Sequence, residues 1–175
     1  MSGLLTPYDA SWPEQFERVA AQLRSVGDPT WVIEHIGSTS IPGMRAKPII
    51  DVAVRIRDIT EFEEHRQSLE SSGWRVGSGV RTHPVMVFEQ DERRVQIVHF
   101  FAEEQWDTAN QRILRDWLRT NPADAAHYED AKIAAEQAAR SGASTYNGGK
   151  TAVIQEILDR ARAARGLPQV SAYDK

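Results

Sequence analysis

The chain has 175 residues, 41% of them apolar and none a cysteine, so it can bury a core but offers no disulfide framework, thiolate nucleophile or Cys-type zinc site. Its 21 basic and 25 acidic residues leave a net charge of −4, which argues against a protein that coats DNA or RNA through a general basic excess. Apolar runs are only a few residues long and Met1–Pro7 shows no basic-then-apolar segment, so the expectation is no membrane span, no secretory signal and a cytoplasmic location.

Ser11-Trp12-Pro13-Glu14 reads as a helix start, with a cap residue, an early proline and a glutamate three residues after the serine. Trp12, Phe16, Val19, Leu23 and Val26 then form an apolar stripe that Gly27 and Asp28-Pro29 end. A β-type run, Trp31–Ile36, leads into a loop rich in Gly, Ser and Pro at 37–43, and a second run follows at Ile49–Val54. Thr60-Glu61-Phe62-Glu63 reads as a capping box for a helix that stops before Gly73. Trp74–Val76 suggests a short strand, and Val85–Phe88 with Val95–Phe100 suggest a hairpin about a turn at Gln90–Arg93. From Asp107 the pattern is helical, over about 107–119, 122–140 and 146–165. Gly166 and Pro168 close the last helix, and fraying is expected beyond about residue 166. The order α-β-β-α-β-β-β-α-α-α predicts one α+β domain over 1–175: a small mixed sheet backed by helices, with a helical C-terminal part.

The chemistry-bearing stretch runs from Glu34 to Asp51. Gly37 lets the backbone approach a ligand closely, and Ser38, Thr39 and Ser40 add hydroxyls to consecutive N–H groups, a combination that can cradle a phosphate or simply join two strands. Asp51 stands among Ile49, Ile50, Val52 and Val54, where a carboxylate is costly unless paired or metal-bound. Seventeen of the 21 basic residues are arginines, and the four lysines are Lys47, Lys132, Lys150 and Lys175. Lys47, at the mouth of the Asp51 strand, suits a phosphate as a compact charge or serves as an exposed loop lysine. Tyr128/Lys132 and Tyr146/Lys150 are both i, i+4 pairs, which put each Tyr beside its Lys on one helix face, as a binding pair or a snorkelling lysine stacked on a tyrosine. His35 alternates with Glu34 and Ile36, and reads as a buried, hydrogen-bonded histidine that orients the loop ahead of a catalytic one. His65, His83 and His127 have no partner at ligand spacing, so no zinc site is expected, and Arg81-Thr82-His83 reads as a solvated turn ahead of a basic loop that reaches the site.

His35-Ile36-Gly37-Ser38-Thr39-Ser40-Ile41-Pro42-Gly43 followed by Ala46-Lys47-Pro48-Ile49-Ile50-Asp51-Val52 resembles the central motif of the GrpB family, also found fused to dephospho-CoA kinase. Arg115–Arg119, Asn121-Pro122, Tyr128 with Lys132, and Tyr146 with Lys150 resemble its C-terminal pattern, so the likeness spans about residues 12–162. That resemblance implies a nucleotidyltransferase (polymerase-β-like) fold, whose pattern is a Gly-Ser turn and then paired carboxylates on a strand. Those carboxylates hold Mg²⁺ while the turn holds a phosphate tail. Ser38 and Asp51 fit the spacing, with Asp51 as metal ligand and catalytic residue. The second carboxylate position is Ala53, and the neighbouring strand offers His99 as ligand or base and, across the hairpin, Glu89. The expected site is then Gly37, Ser38, Thr39, Ser40, Lys47, Tyr128, Lys132, Tyr146 and Lys150 for the ligand, and Asp51 and His99 for chemistry. The implied function is binding of a nucleotide or other phosphate-bearing small molecule, with Mg²⁺-assisted nucleotidyl or phosphoryl transfer to a small molecule. The alternative is an inactive nucleotide- or coenzyme A-type binding module, and a purely structural interaction domain ranks last.

Overall fold

Apolar residues three and four apart build α1 (Trp12–Val26), whose buried Trp12, Val19, Ala20 and Leu23 lie on one sheet face. The computed structural model describes residues 4–80, 82–143 and 145–172; Arg81 and Lys175 lie outside the described residues. The Ser11 hydroxyl does not cap α1: it accepts from Gln15 Nε2 (2.9 Å), and Glu14 pairs with Arg18 instead.

Five strands form a mixed sheet: β1 (Val32–Ile36), β2 (Ile50–Ile56), β3 (Arg75–Val76), β4 (Val85–Gln90) and β5 (Arg93–Ala102), in the order β1-β2-β5-β4-β3. The β2–β5 pair is parallel and the other three pairs are antiparallel. Asp91 and Glu92 adopt positive φ between β4 and β5, a two-residue hairpin turn whose twist matches the strands. The parallel pair is joined through α2 (Ile59–Ser71), β3 and β4. The cap of α2 is Asp58, which accepts from the N–H groups of Thr60 and Glu61, so the expected Thr60 box is displaced by two residues. Glu61 turns inward, where Trp31 Nε1 (2.7 Å) and Arg57 N (2.7 Å) hold its carboxylate.

One face of the sheet, bearing Val52, Val54, Val98 and Phe100, packs against α1 and α2 as the main core. The opposite face meets the C-terminal helices: α3 (Glu103–Trp106), α4 (Asn110–Thr120), α5 (Pro122–Arg140) and α6 (Tyr146–Ala164). The helix expected over about 107–119 begins at Asn110, after a turn at 107–108, and the short α3 precedes it. Beyond Gly166 the described chain, up to Ala172, lies against the helices. Gln155 bonds Val170 O and Ala172 N, and Ala172 is buried beside α4 and α6, because this segment covers apolar side chains the helices leave open.

Candidate functional site

Alternation along β2 sends Ile50, Val52, Val54 and Ile56 into the core, which forces Asp51 and Ala53 to the helical side. Register brings Ile97 beside Asp51, His99 beside Ala53, and Val85 and Val87 beyond them. A cleft of about 750 Å³ opens between this sheet face and α4–α6, lined by Gly37, Ser38, Thr39, Lys47, Asp51, His99, Tyr128, Tyr146 and Lys150 among others. Nine of the eleven expected site residues therefore converge; Ser40 and Lys132 do not line it.

The 37–43 loop is built tightly. Gly37 has φ +72° and ψ −177°, and its backbone lies against Asp51 so closely that a Cβ there would stand 2.8 Å from Asp51 Cβ and 2.9 Å from Cγ. Residues 38–40 form a 3-10 turn. Of its three hydroxyls, that of Ser38 bears on the far wall: burial raises the Tyr128 pKa, and the Ser38 hydroxyl counters it in part. Ser40 Oγ donates to Gly37 O (2.6 Å) and Thr39 Oγ1 to Ile49 O (3.2 Å), so these two brace the turn. Since the Thr39 proton is committed to Ile49, His35 Nε2 must donate to Thr39 Oγ1, at 2.9 Å.

His35 is buried on the α1 side, stacked on Phe16 with ring centroids 5.0 Å apart. Burial, followed by the charges of Arg119 and Arg115, pulls its pKa down to about 4. The unfolded chain therefore binds a proton here between about pH 6.5 and 4 that the fold rejects. Stability from this site is complete above about pH 6.5 and is lost as pH falls towards 4, by about 3 kcal/mol. Urea unfolding across that range should show the drop in the wild type and a shallower one in His35→Gln.

On the helical wall, the Tyr146 ring has Lys47 Nζ 3.8 Å and Lys150 Nζ 4.6 Å from its centroid. Burial lowers the Lys47 pKa, and Glu136 counters it in part. Lys132 sits one turn from Tyr128, its Nζ 5.0 Å from that ring, but it is 1% exposed and donates to the Arg45 carbonyl. Burial holds its pKa near 8, with Glu129 raising it and Lys150 lowering it further. It fixes the loop to α5, and its charge reaches the cleft only through space.

Ala53 is wholly buried among Ile36, Phe101, Trp106 and Ala109, which leaves no place for a second carboxylate on that strand. The acid that does face Ala53 across the sheet is Glu34, which sequence reasoning passed over. Arg112 grips it at 3.0 Å through both Nε and Nη2, and Arg115 Nη1 at 2.6 Å. Burial pushes this carboxyl up, yet those hydrogen bonds and charges hold it below the usual range. Arg115 also reaches His35 O and Asp116, so this network ties α4 to β1. Its signal in the sequence was one acid in an apolar strand and two arginines three residues apart on a helix.

His99 Nδ1 shares a 2.8 Å hydrogen bond with His83 Nε2, and His83 Nδ1 pairs with Thr82 Oγ1. His83 is buried, not in a solvated turn, because strand pairing sets Val85 opposite His99. His127 meets Glu156 at 3.5 Å, and Glu89 pairs with Arg75, away from the cleft. One group of three potential metal ligands occurs among the described residues, Asp28, Glu61 and His65, with ligand atoms within 4.8 Å of one another. It lies outside the cleft, and Trp31 and Arg57 already occupy both Glu61 oxygens. Within the cleft lining Asp51 is the one carboxylate among the described residues. That donor set, with phosphate oxygens and water, fits one Mg²⁺; two ions would need carboxylates the face does not carry.

A family model described as GrpB protein matches residues 4–160. A UPF0157 protein from Halalkalibacterium halodurans is 32% identical over 163 residues, covering 91% of this chain and 82% of the relative. The crystal structure of GrpB from Enterococcus faecalis superposes with a TM-score of 0.79 at 28% identity, covering 93% of this chain and 99% of that one. Terminal uridylyl transferase 4 from Trypanosoma brucei with bound dUTP superposes at 0.55 with 14% identity, over 88% of this chain and 55% of that one, a likeness of fold. The α+β architecture is thus of the nucleotidyltransferase, polymerase-β-like type.

Proposed function

This chain belongs to the GrpB family, and from that premise we propose that its cleft binds a nucleotide or other phosphate-bearing small molecule. The observation that carries this reading is the convergence of Lys47, Lys150, Tyr128 and Tyr146 on the Gly37-Ser38 turn and Asp51, in a protein of net charge −4. Ser38 and the turn's N–H groups would take phosphate oxygens, and the two lysines would offset charge from the opposite wall. A cytoplasmic small-molecule role, with neither nucleic acid nor membrane as partner, is part of this reading; no helix among the described residues is long and apolar enough to cross a membrane.

Asp51 would hold a single Mg²⁺, which neutralises phosphate charge when bound. The lone carboxylate favours a binding module, of nucleotide or coenzyme A type, over two-metal transfer. Nucleotidyl or phosphoryl transfer is the second reading, supported by the contact of Asp51 with the Gly-Ser turn. In that reading His99 accepts the proton of the attacking hydroxyl.

Nucleoside triphosphates with and without Mg²⁺ should raise the thermal midpoint of the wild type. Asp51→Asn should remove the Mg²⁺-dependent part at little cost in stability. Lys150→Arg should weaken binding by about 1 kcal/mol, roughly fivefold, although charge is kept, because a wider guanidinium replaces the compact ammonium that shares the Tyr146 ring with Lys47. Arg160→Lys is the control, since Arg160 pairs with Asp124 and Glu156 away from the cleft lining. A nucleotide that stabilises Ser38→Val as much as the wild type would place the binding site elsewhere.

A further inference from the structure

α6 presents one residue per turn to the cleft, Tyr146, Lys150, Ile154, Leu158 and Arg162, at strict i, i+4 spacing. At 1.5 Å per residue, Arg162 stands about 18 Å along the axis from Lys150, with Ile154 and Leu158 as an apolar floor between them. The stripe therefore has a cation at each end.

Arg162 is 4% exposed. Its Nε donates to Pro168 O (2.6 Å), and its Nη1 donates to Asn110 Oδ1 (2.8 Å) and Thr108 O (3.2 Å). Every acceptor is neutral. No carboxylate among the described residues lies within ion-pair distance of it, and Nη2 has no hydrogen-bond acceptor among them. Buried guanidinium charge is ordinarily matched by an acid. Instead, Arg162 lies against another positive feature, the N-terminus of α4. That helix has 11 residues, its N-cap is Ala109, which has no side chain to cap with, and the N–H groups of Asn110 and Gln111 find no acceptor among the described residues. Asn110 and Gln111 both line the cleft. Two partial or full positive charges placed side by side, with donors to spare, match one oxyanion.

We propose that Arg162 and the N-terminus of α4 form a second anion-binding subsite at the far end of the cleft, which takes a phosphate or carboxylate group. The oxyanion accepts from Arg162 Nη2 and from the Asn110 and Gln111 N–H groups, while the apolar middle of the same molecule lies on Ile154 and Leu158. What occupies the opposite end rests on the reading above; the subsite itself does not.

The test is titration of the ¹⁵N-labelled full chain with inorganic phosphate, and separately with acetate, at fixed ionic strength. The Asn110 and Gln111 amides should move saturably with at least one of the two anions, and the preferred anion names the group. Asn110→Asp supplies its own carboxylate to Arg162 at nearly unchanged shape. It should weaken that anion at least tenfold while the thermal midpoint holds or rises. The Gly37 and Ser38 amides report the other end separately, so either reading can fail alone. Absence of saturable movement at Asn110 and Gln111 with both anions, or an equal dissociation constant in Asn110→Asp, would overturn the proposal.

Discussion

Gly37→Ala is expected to destabilise the protein by about 3–5 kcal/mol and to abolish phosphate binding at the turn. Two costs combine. At φ +72° and ψ −177° the backbone occupies a region that residues with a Cβ scarcely visit, and the new Cβ would overlap the Asp51 side chain. Neither partner can retreat. Asp51 is set by the pairing of β2 with β1 and β5, and the turn is held by Ser40 Oγ on Gly37 O and by the His35–Thr39–Ile49 chain. Asp51→Ala removes the carboxylate but leaves a Cβ at the contact and the backbone strain untouched. In the double variant it should recover part of the loss, with a coupling of about 1 kcal/mol or more. Chemical denaturation measures both quantities. A single-variant loss below about 1 kcal/mol would mean that the turn relaxes freely and is not pinned by the carboxylate.

The second large effect is expected at Glu34. Glu34→Gln leaves Arg112 and Arg115 facing a neutral amide, with Arg115 8% and Arg112 14% exposed. Removing one partner of a buried ion pair costs about 3–5 kcal/mol, and the 26% exposure of Glu34 places this case near the lower limit. The same network makes the protein acid-sensitive. The Glu34 carboxyl titrates lower in the fold than in the unfolded chain, so its contribution is present above the ordinary glutamate pKa and is lost as pH falls through the depressed folded value. Since the network holds α4 against β1 and Arg115 lines the cleft, Glu34→Gln should also weaken ligand binding although Glu34 itself is not in the lining. Arg18, paired with Glu14 on the exposed surface of α1, gives the contrast: Arg18→Gln should cost well under 1 kcal/mol.

Local pattern was enough for most of the secondary structure. The stripe from Trp12 to Leu23 could only bury one helix face, and alternation on either side of Asp51 put the carboxylate opposite the core. The Gly-Ser turn and two of the scarce lysines, Lys47 and Lys150, line one cleft with Asp51, and those signals lie in a residue's own type and neighbours. Helix caps were less legible: Asp58 and Thr60 are both competent cap residues, and the choice depended on Trp31 and Arg57 drawing Glu61 inward.

What the chain's order could not supply is pairing across long separations. Whether a lysine faces a ligand or a carbonyl depends on which backbone lies across from it, and Lys132 meets Arg45 87 residues away. His83 and His99 carry no motif, and only the register of β4 on β5 sets them 2.8 Å apart. Glu34 acquires its role only when α4 brings two guanidinium groups to it. The sequence by itself determined the strand that carries Asp51, the Gly37 turn beside it and the missing second carboxylate at Ala53. Tertiary structure decided which polar groups are consumed in holding the fold and which face the cleft, because a buried charge is settled by the partner that packing delivers and not by its neighbours along the chain.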